Sequence, residues 1–150
     1  MPKRDFQRFT SDAEVRELGE GMIARTLPKA RWNHAAHWAT TLWLLTERPD
    51  VLPERDMPEL IRAYNESVGG ENTDTAGYHE TITQASIRAA RRFLREREGL
   101  GEPLFIQCNA LMETELGDPD WLLEFWTKET LFSVEARKSW VGPDKAEISG

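Results

Sequence analysis

At 150 residues, 39% apolar and 30% charged, the chain is long enough to bury roughly 70% of its unfolded surface and needs neither disulfides nor a structural metal. Nineteen Lys and Arg against 26 Asp and Glu give a formal net charge of -7, which argues against phosphate-driven binding to nucleic acid. Cys108 is the only cysteine, no apolar run approaches the ~20 residues of a membrane span, and the charged stretch Met1–Thr10 lacks a signal peptide's apolar core; the expectation is a cytoplasmic protein in a reducing compartment, with no membrane partner.

The Pro and Gly punctuation falls at intervals that suit helices. Thr10 and Ser11 can cap a first helix from Asp12 to Thr26, where Val15, Leu18, Met22 and Ile23 recur at helical spacing. Gly19 and Gly21 weaken it in isolation. Asn33 caps a second helix, His34 to Arg48, which Pro49 stops because the residue before a proline avoids helical geometry. Asp56 and Pro58 open a third, reaching Ser67, with Gly69 and Gly70 at its exit.

A polar loop over 70–77 leads to the longest helix, Tyr78 to Glu98, whose inner stripe is Ile82, Ala85, Ala89 and Phe93. Its arginines, Arg88, Arg91, Arg92, Arg95 and Arg97, fall largely outside that stripe and read as a solvated face. Pro103 opens a fifth helix to Leu116, Asp118-Pro119 starts a short one through Trp126, and Ser133 caps a last turn through Trp140. Residues 141–150 read as a frayed polar tail. The fold class is therefore all-α, a single compact domain of about five principal helices plus short C-terminal helical turns.

The three histidines of the chain fall in two motifs. In Asn33-His34-Ala-Ala-His37 two imidazoles sit at i and i+3, with Cβ atoms about 5–6 Å apart on one helical face. His79, in Gly77-Tyr78-His79-Glu80-Thr81, begins the long fourth helix on its core side. If the second and fourth helices are neighbours, the three rings can converge, and helix starts favour the neutral, metal-binding imidazole. Three histidines with an open position is the pattern of a catalytic zinc site, and Fe, Mn or Ni suits the same ligands. A metal-bound water there would support hydrolysis. Glu80 and Asp74 are the candidate proton acceptors, with Thr75 and Thr41 nearby in the sequence pattern and Trp32, Tyr64 and Tyr78 as candidate walls of a small-molecule pocket.

Each residue also has a plainer role. His37 follows Trp32 at the spacing of a hydrophobic staple, Asn33 is an ordinary N-cap, and Glu80 completes a capping box if Gly77 is the N-cap of the fourth helix. Trp38, Trp43, Trp121 and Trp126 are expected in the core. On this second reading the protein is a non-enzymatic helical protein that binds a partner or forms a homo-oligomer through exposed tryptophans.

The pattern His34-x-x-His37, Tyr64-Asn65, Asn72-Thr73-x-Thr75-x-Gly77-Tyr78-His79-Glu80-Thr81, then Leu131-Phe132-Ser133 with Glu135-Ala136-Arg137, resembles a family of small, mostly bacterial helical proteins with no assigned activity. The resemblance spans about Trp32 to Asp144 and implies one whole-length helical domain. It carries no catalytic residue or substrate.

Overall fold

The computed structural model describes residues 6–147, which are all-α with no strand among them. Five principal helices are α1 (Asp12–Ala24), α2 (His34–Glu47), α3 (Pro53–Ser67), α4 (Glu80–Glu96) and α5 (Leu104–Met112). Short 3-10 turns at Glu115–Gly117 and Trp121–Glu124 follow, then α6 (Lys128–Leu131) and α7 (Val134–Lys138). No described helix is long and apolar enough to cross a membrane.

Helix α2 is the hub, packed against α1, α3, α4 and α5. It is buried around most of its circumference, through Ala36, Trp38, Ala39, Thr40, Thr41, Leu42, Trp43 and Leu44, as a central helix must be. The contact between the second and fourth helices, which the sequence leaves open, is present. Gly19 permits the close approach of α1: a Cβ there would lie 2.3 Å from Trp43 Cε3. The glycine that weakens α1 in isolation is what lets it pack.

Local chemistry sets the helix ends. Ser11 Oγ accepts from Glu14 N–H at 3.2 Å and Asn33 Oδ1 from Ala36 N–H at 2.9 Å, as their types predict. Helix α1 stops at Ala24, two residues short of expectation, because Arg25 turns left-handed (φ 63°) and its N–H bonds the Gly21 and Met22 carbonyls.

Helix α3 begins three residues before Asp56, with Pro53 at its first position, and keeps Pro58 inside. A proline frees the carbonyl four residues earlier, here that of Glu54, and Gln84 Nε2–H of α4 donates to it at 3.0 Å. Arg91 adds a two-bonded ion pair to the Glu54 carboxylate at 2.6 and 2.8 Å. Part of the arginine face thus clamps α4 to α3, while Arg92 and Arg97 pair with Glu96 and Glu102.

The fifth helix ends at Met112 rather than Leu116, and Asp118-Pro119 leads only to the 3-10 turn Trp121–Glu124. The segment 141–147 is also tied down more than expected. Val141 C=O accepts from the Trp126 indole at 2.9 Å, Val141 N–H donates to Thr81 Oγ1 at 3.0 Å, and Asp144 caps α6 through Thr127 and Thr130. The remainder of the expected tail, 148–150, lies outside the described residues.

Candidate small-molecule pocket

Between α2 and α4 lies a cavity of about 290 Å³, closed on one side by Pro119, Trp121 and Leu122. Helix α2 contributes His34, His37, Trp38 and Thr41, α4 contributes Ile82, Thr83, Ser86 and Ile87, and α3 contributes Met57 and Ile61, with Trp32 and Asn33 at the entry to α2. Among the described residues no Asp, Glu, Lys or Arg lines it.

His37 is its most informative member. The ring stacks on Trp32 with centroids 4.0 Å apart and planes inclined 30°, the staple expected between the residue before the N-cap and the fourth helical position. Its ring nitrogens have no hydrogen-bond partner among the described residues. The residue is exposed to solvent yet surrounded by protein, as a group in the wall of an open pocket is. Desolvation by those walls, assisted by the nearby His34, lowers its pKa from 6.5 to about 4, and water at the mouth tempers the cost of charging it. At neutral pH it is an uncharged imidazole with one donor and one acceptor to offer.

His34, one turn earlier, is held in place. Its Nε2 lies 2.9 Å from the Leu116 carbonyl, which also accepts from the Trp38 indole N–H at 2.9 Å. The carbonyl's two lone pairs take both donors when His34 carries its proton on Nε2. These bonds pin the 3-10 turn Glu115–Gly117 against α2 and so place the Pro119–Leu122 wall.

His79 belongs elsewhere. It is the N-cap of α4: Nδ1 accepts from Ile82 N–H at 3.2 Å and Nε2–H donates to the Leu131 carbonyl at 2.7 Å. Burial lowers its pKa, which keeps this doubly bonded ring neutral. Both nitrogens are committed, so His79 does not offer a lone pair beside His34 and His37. Among the described residues no three His, Cys, Asp or Glu side chains are placed to hold a metal ion.

The expected proton acceptors are also displaced. Since His79, not Gly77, caps α4, Glu80 is its first residue and does not complete a capping box. Its carboxylate accepts from Tyr78 Oη–H at 2.5 Å and Gln84 Nε2–H at 3.1 Å, away from the lining of the His37 cavity. Asp74 sits in the exposed loop 3.4 Å from Lys138 Nζ, and Thr75 in the same loop. Gly77 instead turns that loop: its φ is +83° and a Cβ would lie 2.1 Å from the Glu71 carbonyl oxygen.

Of the aromatic and polar residues expected to line a pocket, Trp32 and Thr41 do so. Tyr64 is fully buried behind them, edge-on to Trp32 at 5.4 Å, with its hydroxyl donating to the Leu27 carbonyl at 2.8 Å. Tyr78 is buried under the Arg62 guanidinium. Trp38, Trp43, Trp121 and Trp126 are buried, as expected, leaving Trp140 as the exposed tryptophan among them all, its ring against Trp126 and Arg88. Trp32 is half-buried. Cys108 is buried and its thiol pushed up to about 12, so it is inert at neutral pH.

The opposite wall was missed from the sequence. Ile82-Thr83 and Ser86-Ile87 recur at the four-residue spacing of one helix face, a visible signal, but one that reads as core without knowledge of what faces it. Comparison with protein-family models, curated proteins and solved structures finds no match to this chain.

Proposed function

We propose that the protein binds a small organic molecule in the cavity between α2 and α4, with His37 as its principal hydrogen-bonding group. One observation carries this reading: a neutral imidazole without a hydrogen-bond partner among the described residues, open to solvent in the wall of a mostly apolar cavity. That is the build of a ligand site, mostly apolar with a few placed polar groups, and the volume, about 290 Å³, suits a molecule at the small end of the usual range of roughly 300–1,000 Å³.

The same geometry favours binding over metal-dependent hydrolysis. A catalytic zinc site takes three protein ligands and a proton acceptor, and here the third imidazole is a helix cap while both carboxylates lie away from the cavity.

The test is a panel of small organic compounds followed by NMR at the His37 ring and the indole N–H groups of Trp32, Trp38 and Trp121. Binders should shift these signals together, and Ser86→Phe, which puts a ring into the cavity, should abolish the shifts while leaving the fold intact. A panel that leaves all four residues unmoved, or binders indifferent to Ser86→Phe, refutes the proposal.

A further inference from the structure

We infer that the molecule this cavity takes is an uncharged aromatic carrying one hydroxyl-type group that both donates and accepts, phenol being the simplest case. The inference rests on the pocket reading above and assigns it a ligand class.

Charge is the first discriminator. Among the described residues the cavity presents no Asp, Glu, Lys or Arg, so an ion entering it would shed water without meeting a counter-charge. His37 supplies none at neutral pH, because it is already neutral there. An ammonium ion would need open aromatic faces. Trp32 instead has a face against His37, while Trp38 and Trp121 lean on each other at 5.8 Å and 45°. These indoles hold one another and do not form an open cage.

The polar complement is the second discriminator. The His37 ring from α2 and the Ser86 hydroxyl from α4 have no hydrogen-bond partner among the described residues and can each both donate and accept; the other lining atoms without a partner are one-way, since the Trp32 and Trp121 indole N–H groups and the Asn33 amide N–H only donate and His34 Nδ1 only accepts. The neighbouring hydroxyls are occupied, Thr41 donating to the His37 carbonyl at 2.8 Å and Thr83 engaged with Tyr78. A neutral imidazole offers one donor and one acceptor and a serine hydroxyl offers both. A single hydroxyl on the ligand can satisfy one from each wall, donating to one and accepting from the other. Most of the rest of the lining is aromatic and aliphatic, and indole rings meet a planar ring in offset or edge-to-face contact.

The experiment titrates the wild-type protein at pH 7 with phenol, benzene, cyclohexanol, benzoate and tetramethylammonium, reading the His37 and tryptophan indole NMR signals. Phenol should bind about tenfold more tightly than benzene, the worth of one well-formed hydrogen bond, and more tightly than cyclohexanol. Benzoate and tetramethylammonium should leave the signals unmoved at concentrations where phenol saturates. In Ser86→Ala, with benzene affinity as the control for an intact cavity, the preference for phenol should fall to less than about threefold.

Benzoate or tetramethylammonium binding as tightly as phenol overturns the charge inference and leaves the pocket reading standing. Equal affinity for phenol and benzene overturns the hydroxyl inference, and equal affinity for phenol and cyclohexanol the aromatic one. Failure of every probe overturns the pocket reading itself.

Discussion

Replacing His79 by alanine removes two different supports at once, and the structure apportions them. The Nδ1 acceptor caps α4 at the Ile82 N–H, and losing a side-chain cap costs about 1 kcal/mol. The Nε2 donor satisfies the Leu131 carbonyl of α6 at 2.7 Å, and orphaning a buried partner costs about 1–3 kcal/mol. Together they predict a loss of about 3 kcal/mol, read as a reduced urea midpoint with unchanged slope, or a melting temperature about 6–12 °C lower.

His79→Asn separates the two supports, because a short amide oxygen can cap the helix but cannot reach Leu131 as the imidazole does. It should recover about 1 kcal/mol of the loss. An alanine variant within about 0.5 kcal/mol of wild type, the size of an ordinary surface change, or an asparagine variant no better than alanine, would refute the capping account. Zn, Fe, Mn or Ni stabilising the wild type but neither variant would also refute it, since that is the signature of a ligand.

Gly19→Ala should destabilise by about 1–3 kcal/mol from overpacking despite alanine's better helix propensity, because its Cβ would meet Trp43 at 2.3 Å; Gly21→Ala, whose nearest neighbour is Leu27 Cβ at 3.3 Å, should cost less by chemical denaturation. His37 should titrate by NMR near pH 4, well below a free imidazole. A histidine with a depressed folded-state pKa binds fewer protons folded than unfolded between those values, so stability is full above about pH 6.5 and declines as pH falls toward 4. Among the described residues no carboxylate lines the cavity to oppose this. His37→Ala should flatten that part of the stability profile, leaving the smaller contribution of His79, whose pKa is also lowered; an unchanged profile would contradict the desolvation of the ring.

The helices and most of their caps were legible in the sequence because they depend on local chemistry: Ser11, Asn33 and Ser133 satisfy N–H groups three residues on whatever surrounds them. The staple of Trp32 on His37 was legible for the same reason. The burial of Trp38, Trp43, Trp121 and Trp126 followed from size and spacing.

Tertiary structure alone decided which partners the three histidine rings find. His34 and His79 are each bound to a carbonyl far along the chain, Leu116 and Leu131, and no spacing rule reveals such partners. Helices α2 and α4 do meet, as the sequence left open, but His79 turns to Leu131 at the start of α4 while the face that meets His37 is the stripe from Ile82 to Ile87. The physical reason is one of range. Caps, staples and helical periodicity act within a turn or two of chain. Which lone pair remains free in a folded protein depends on groups 52 and 82 residues away, so the sequence nominates imidazoles and only the packed chain says that His37 is the one whose ring nitrogens have no hydrogen-bond partner among the described residues.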